Sequence, residues 1–157
     1  MTLEERAVKL LKEKGYTLST AESCTGGLLA GRIINVSGAS DIINVGFVTY
    51  ANEAKMKYLG VSEEVLRDHG AVSFECAHQM ALGVTSQMDA EVGLATTGIA
   101  GPGGGTAEKP VGLVYIGCSI CGNVSVEEYH FSGTREQIRN RTVEEALTLL
   151  VKRLENN

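Results

Sequence analysis

The sequence predicts an α/β protein with three layers, α/β/α, in which helices cover both faces of a mixed β-sheet. Helical patterns first alternate with short apolar runs, as they do in parallel β-α-β units. Two β-rich runs then follow on either side of Gly122-Asn123, a pair typical of the tight turn in an antiparallel hairpin. No repeat or linker interrupts the 157 residues, so we expect one domain over residues 1–157.

Amphipathic spacing predicts six helices, at residues 3–14, 26–36, 52–59, 62–69, 73–88 and 134–154. Thr2 and Glu5 form a capping box at the start of the first helix, and Gly15 ends it. Ser73 is expected to cap the longer fifth helix, which ends near Met88.

Short runs rich in β-branched and aromatic residues predict five strands, at residues 16–21, 42–50, 91–96, 111–121 and 124–131. The run 42–50 is expected to be a central strand of the sheet. The last two runs form the predicted hairpin.

The composition is typical of a soluble globular protein, with 43% hydrophobic residues. A net charge of −5 argues against a nucleic-acid partner, although Arg135, Arg139 and Arg141 leave room for a small phosphorylated ligand. No signal segment opens the chain, and no apolar run approaches the ~20 residues of a membrane helix. We therefore expect a cytoplasmic protein with no membrane partner.

The cysteines are expected to be reduced thiols, because nothing in the sequence directs the chain to an oxidising compartment. Cys118 and Cys121 have the spacing of half a metal or redox site. No second cysteine pair and no nearby histidine completes a set of four ligands. The sequence therefore predicts no metal site.

Three polar clusters follow predicted strands, at residues 22–25, 50–55 and 96–105. In open α/β sheets, ligands bind beyond the carboxyl ends of the strands. We therefore expect the three clusters to converge on one pocket.

The first cluster places Ser23, Cys24 and Thr25 between a strand and a helix, ahead of Gly26 and Gly27. Such a turn exposes a hydroxyl or thiol while backbone N–H groups at the helix start face an anion. An ordinary helix cap with tightly packed glycines is the alternative, and the local pattern does not decide between them.

In the second cluster, Lys55 lies in the first turn of a helix, where the helix dipole disfavours a cation. A partly buried lysine at this position has a lowered pKa and can accept a proton from a serine, with Tyr50 orienting or relaying that proton. The alternative is an exposed surface lysine. Within the third cluster, residues 97–105 form a glycine-rich loop, which is either an anion-binding loop or a merely flexible one.

Five blocks carry these candidates, at residues 21–27, 50–55, 97–104, 109–112 and 131–139. Together, and in this order, they resemble the nicotinamide-nucleotide amidase family, the C-terminal domain of the competence/damage-inducible protein CinA. The resemblance covers nearly the whole chain. It implies hydrolysis of the carboxamide of nicotinamide mononucleotide to nicotinate mononucleotide and ammonia, with no metal or redox cofactor. It also implies a homodimer.

The same resemblance implies that Ser23 is the nucleophile, Lys55 its base and Tyr50 a nearby catalytic group. Backbone N–H groups of Thr25, Gly26 and Gly27 would stabilise the oxyanion. The implied substrate-binding residues are Glu22, Asn52, Thr97, Gly98, Gly101, Gly103, Gly104 and Arg139, with Arg139 on the phosphate.

Two alternatives remain at the level of the sequence. Cys24 is a rival nucleophile, because a helix start also activates a thiolate. The domain is alternatively a non-catalytic pyridine-nucleotide-binding or regulatory module. Ala51 and Ala107 stand where many relatives carry serine and proline, which affects loop detail but no proposed catalytic group.

Overall fold

The structure, a computed structural model, describes all residues from Met1 to Asn157. The strands are β1 (Leu18–Glu22), β2 (Ile43–Val48), β3 (Val92–Gly98), β4 (Leu113–Ile120) and β5 (Asn123–His130). The helices are α1 (Leu3–Lys14), α2 (Leu28–Ile34), α3 (Asn52–Leu59), α4 (Glu63–Asp68), α5 (Phe74–Thr85) and α6 (Arg135–Glu155).

The five strands form one mixed sheet in the order β2-β1-β3-β4-β5. Strand β1 is parallel to both β2 and β3, whereas β4 is antiparallel to β3 and to β5. The turn of the β4–β5 hairpin is formed by Cys121 and Gly122, both with positive φ, while Asn123 already pairs with Ile120. The predicted mixed sheet and hairpin are confirmed.

Helices cover both faces of the sheet. Helices α1, α2 and α6 pack on one face around a core of 22 buried residues. Helix α5 packs on the other face around a core of eight buried residues, to which α3 and α4 also contribute side-chain contacts. The predicted three-layer α/β/α class is therefore confirmed. None of the six helices combines the length and the apolar composition that a membrane span requires.

The prediction that residues 42–50 form a central strand is wrong. Strand β2 lies at one edge of the sheet, and its side chains alternate between half-buried and exposed positions. Alternation places Val45 and Phe47 on the α5 side of the sheet, whereas a register shift between Leu18 and Ser19 puts Ile43 against the core of the other face. The central strand is β3, whose residues from Val92 to Thr97 are all buried.

Two helix boundaries also differ from the sequence prediction. Helix α2 begins at Leu28 instead of residue 26, because Gly26 and Gly27 have φ of +59° and +102° and form a turn. Helix α5 ends at Thr85, three residues before Met88. The caps at Thr2 and Ser73 are confirmed, since each side chain accepts a hydrogen bond from the first turn of its helix.

Gly112 connects the glycine-rich loop to the hairpin. Its N–H donates to the Ile99 carbonyl and its own carbonyl accepts from the Phe131 N–H, each at 2.8 Å. Its φ is +93°, and a Cβ atom at this position would lie 1.8 Å from the Phe131 oxygen. Only glycine therefore fits where the loop joins the sheet.

Candidate active site

A cavity of about 250 Å³ lies at the carboxyl edge of β1, β2 and β3. Because these strands are parallel, the loops that follow them meet at this edge, as the sequence pattern predicted. The first loop contributes Ser23 and Cys24, the second Tyr50 and Lys55, and the third most of the remaining wall. The other lining residues are Ala71, Val72, Thr97, Gly98, Ile99, Ala100, Gly101, Gly103, Gly104 and Arg135.

Lys55 is a buried residue in the first turn of α3, with only 1% of its surface exposed. Its Nζ lies 3.0 Å from Ser23 Oγ and donates to the carbonyls of Thr49 at 2.7 Å and Tyr50 at 3.2 Å. The alternative of an exposed surface lysine is therefore wrong.

Burial lowers the pKa of Lys55 from its ordinary value of 10.5, because the low-dielectric interior disfavours the ammonium form. A neutral amine retains two protons, which the Thr49 and Tyr50 carbonyls accept. Its lone pair is then left for the Ser23 hydroxyl. The arrangement can remove a proton from Ser23.

Ser23 follows the last residue of β1 and remains tied to the sheet. Its N–H donates to the Thr96 carbonyl at 3.0 Å, which extends the β1–β3 ladder by one residue. On the other side, the Thr49 N–H donates to the Glu22 carbonyl at 2.9 Å and extends the β1–β2 ladder. The nucleophile candidate and the carbonyl that holds Lys55 are therefore both positioned by sheet hydrogen bonds.

Glu22 anchors the turn that follows Ser23 and does not line the cavity. Its carboxylate accepts from the Thr25 hydroxyl at 2.6 Å and from the N–H groups of Gly27, Leu29 and Ala30 at 3.2, 2.8 and 3.1 Å. These donors form the N-terminus of α2, where a carboxylate is electrostatically favourable. The proposed substrate contact of Glu22 has no support in this geometry.

The expected set of oxyanion donors is only partly available. The Gly26 N–H donates to the Ser23 carbonyl, and the Gly27 N–H donates to Glu22. The N–H groups of Cys24 and Thr25 have no hydrogen-bond partner in the protein. Of the three predicted donors only the Thr25 N–H is therefore free, and the Cys24 N–H is a second free donor that was not predicted.

Cys24 is a poor nucleophile in this environment. Burial raises the pKa of its thiol to about 12, and the negative charge of Glu22 contributes to the same shift. The thiolate is the reactive form of cysteine, so the side chain is inert near neutral pH. This physical argument favours Ser23 over Cys24 independently of any resemblance.

Tyr50 lines the cavity, but its hydroxyl does not contact Lys55 through a hydrogen bond. The side chain is 63% exposed, and its oxygen accepts from the Arg135 guanidinium at 3.0 Å. Arg135 also donates to the Gly101 carbonyl at 2.8 Å and so connects Tyr50 to the glycine-rich loop. The direct contact between Tyr50 and Lys55 is made by the main-chain carbonyl of Tyr50, which accepts a hydrogen bond from Lys55 Nζ.

Arg139 and Asn52 lie outside the cavity. The Arg139 guanidinium donates to the carbonyls of Cys24 and Thr25, so its position does not match the predicted phosphate contact. Asn52 is an exposed residue at the start of α3. Arg135, one helical turn before Arg139, is the arginine that reaches the cavity.

The glycine-rich loop brings Gly101, Gly103 and Gly104 to the cavity, and their N–H groups have no partner in the protein. Together with Arg135, they form a group of donors suited to an anion. Thr97 and Gly98 also line the cavity, but the Thr97 hydroxyl donates to the Ala71 carbonyl at 2.9 Å.

Sequence reasoning missed the apolar wall formed by Ala71 and Val72 in the α4–α5 connection. Two small apolar residues in a loop carry no signal of their own. Arg135 was within a recognised block, but the choice between two arginines on one helix needed the structure.

The largest groove of the protein lies away from this cavity. It has a volume of about 830 Å³, lies between α2 and α6 and includes Gly27, but neither Ser23 nor Lys55. No group of three or more His, Cys, Asp or Glu side chains is arranged to hold a metal ion.

The chain is similar to known proteins over almost its whole length. The CinA C-terminal domain matches residues 1–154. A relative from Clostridium perfringens is 53% identical over 155 residues, which are 99% of this chain and 38% of that protein. The CinA-like protein of Dictyoglomus turgidum is 51% identical with the same coverage. The chain thus spans little more than a third of the length of either relative.

Solved structures of related proteins match this chain over nearly their whole length. The competence/damage inducible protein CihA from Agrobacterium tumefaciens is 46% identical, with a TM-score of 0.92 over 98% of this chain and 95% of that one. A CinA superfamily protein from Klebsiella pneumoniae is 32% identical, with a TM-score of 0.94 and complete coverage of both chains. The chain belongs to the CinA C-terminal domain family.

Proposed function

We propose that the protein is an amidohydrolase that converts nicotinamide mononucleotide and water to nicotinate mononucleotide and ammonia. The observation that carries the proposal is the 3.0 Å contact between the buried Lys55 Nζ and Ser23 Oγ. A nucleophile activated by an adjacent base is the arrangement that acyl transfer requires. A domain that only binds its ligand has no need for a buried serine–lysine pair.

The reaction has two halves. In the first, Lys55 takes the Ser23 proton as Oγ bonds to the carboxamide carbon, the C–N bond breaks, and Lys55 returns the proton to the leaving ammonia. In the second, Lys55 takes a proton from water, the hydroxide attacks the ester, and Ser23 leaves with the proton from Lys55. The free N–H groups of Cys24 and Thr25 stabilise the oxyanion of both halves.

The cavity walls suit the two ends of this substrate. Ala71, Val72 and Ile99 provide an apolar side for the pyridine ring. Arg135 and the free N–H groups of the glycine-rich loop provide donors for the phosphate. About 250 Å³ is small for a nucleotide site, so we place the ring inside and the phosphate at the mouth.

The proposal is tested by incubating the purified protein with nicotinamide mononucleotide and measuring ammonia and nicotinate mononucleotide. We expect both products in equal amounts, and none from the Lys55→Met variant. Binding of the nucleotide without ammonia release would show instead a non-catalytic pyridine-nucleotide-binding or regulatory domain.

The pH dependence provides a second test of Lys55. Only the neutral amine accepts the Ser23 proton, so kcat/KM should rise with pH through the pKa of Lys55 and then level off. Because burial lowers this pKa from 10.5, the plateau should begin below pH 10.5. The measurement is kcat/KM of the wild-type protein between about pH 6 and 10. A rate that falls with rising pH over this range would contradict the role of Lys55.

A further inference from the structure

Arg139 makes an unusual contact for a residue expected to bind substrate. From the first half of α6 it reaches the turn after Ser23, where Nε donates to the Cys24 carbonyl at 2.8 Å. Its Nη2 donates to the Thr25 carbonyl at 3.1 Å. One guanidinium therefore holds two consecutive peptide carbonyls of the turn that carries the nucleophile.

This contact fixes the direction of a backbone donor. In a trans peptide, the carbonyl and the N–H of the next residue point in opposite directions. Because the Cys24 carbonyl points to Arg139, the Thr25 N–H points away from Arg139, and it has no partner in the protein. The next peptide is fixed at both ends, since its carbonyl also contacts Arg139 and the Gly26 N–H donates to the Ser23 carbonyl.

The opposite side of the turn is held by Glu22. Its carboxylate takes the Thr25 hydroxyl and the Gly27 N–H, and further N–H groups from α2. Arg139 thus donates hydrogen bonds to the carbonyls of the turn, and Glu22 accepts hydrogen bonds from its donors. The N–H groups of Cys24 and Thr25 remain without a partner in the protein.

We propose that Arg139 is a positioning residue that keeps the Thr25 N–H oriented toward the oxyanion. The proposal rests on the amidohydrolase function given above. If the Cys24–Thr25 peptide rotates, a carbonyl replaces the donor and Arg139 loses a hydrogen bond. Loss of one oxyanion donor typically lowers kcat by about 10²- to 10³-fold.

The test separates this role from phosphate binding by using two substrates with the same carboxamide. Nicotinamide mononucleotide carries a phosphate, and nicotinamide riboside does not. For Arg139→Met we expect kcat to fall about 10²-fold on both substrates, with KM changed less than about threefold. A higher KM for the mononucleotide alone, with kcat unchanged, would overturn the proposal.

Two further variants complete the kinetic test. Arg139→Lys retains a donor for the carbonyls and should recover part of the lost kcat. Arg141→Met removes the same charge from the same helix, where Arg141 contacts Glu145 and the Phe131 ring. We expect the Arg141 variant to retain wild-type kcat on both substrates; an equal loss in both arginine variants would overturn the proposal.

Crystal structures of the wild type and of Arg139→Met or Arg139→Lys give a readout independent of catalysis. We expect the Cys24–Thr25 peptide to be rotated, or present in two orientations, in Arg139→Met. An unchanged peptide would overturn the proposal even if the wild type releases no ammonia. Ammonia release by the wild type, in contrast, decides only the proposed function.

Discussion

Replacing Ser23 with alanine is expected to lower kcat for amide hydrolysis by about 10⁴-fold or more, which is the scale for loss of an activated nucleophile. The reason is that no other side chain in the cavity replaces Oγ. The change removes one small atom at a position that is 9% exposed, so the fold should be preserved. The measurement is steady-state ammonia release, with thermal unfolding as a check on the fold.

The rival nucleophile provides the matched control. Cys24 is the neighbouring residue, and its raised thiol pKa of about 12 leaves it protonated near neutral pH. Cys24→Ala keeps the backbone N–H and should retain activity within about tenfold, the effect of a small change in packing. Full activity in Ser23→Ala together with none in Cys24→Ala would reverse the assignment.

Replacing Gly112 with alanine is expected to have the largest effect on folding. The new Cβ would lie 1.8 Å from the Phe131 oxygen, and the backbone is held at a φ of +93°. Backbone strain of about 1–2 kcal/mol and a displaced strand end of about 1–3 kcal/mol add to a loss of roughly 2–5 kcal/mol. The measurement is the free energy of unfolding in urea, followed by circular dichroism.

Gly122→Ala separates the two contributions to that loss. Gly122 has a similar φ of +84°, but a Cβ there would meet nothing within 4 Å. This variant should therefore lose only the strain term of about 1–2 kcal/mol. Equal losses in the two variants would mean that the contact with Phe131 is relieved without cost.

Much of the site was predictable because its residues follow parallel strands. The order of the strands brings the loops after β1, β2 and β3 to one edge, so Ser23, Lys55 and the glycine-rich loop could be grouped before any distance was known. The position of Lys55 early in α3 also predicted a lowered pKa. What the sequence could not supply was burial, which is what distinguishes this lysine from the exposed Lys57.

The errors have a common physical origin in directions that the sequence does not contain. Arg135 and Arg139 are one helical turn apart, and only the path of α6 decides which one reaches the cavity. The predicted oxyanion donors, Thr25, Gly26 and Gly27, included the two glycines because an isolated helix start leaves its N–H groups free. In the structure, Glu22 and the Ser23 carbonyl occupy those two groups.

The hydrogen bonds that extend the sheet beyond β1 have a consequence for motion. Ser23 and Thr49 continue the β1–β3 and β1–β2 ladders, so moving Ser23 away from Lys55 requires breaking hydrogen bonds of the sheet. The opposite wall is irregular and is held by isolated contacts such as the one between Arg135 and Gly101. We therefore expect the cavity to open at this wall, while the side that carries Ser23 and Thr49 keeps its position.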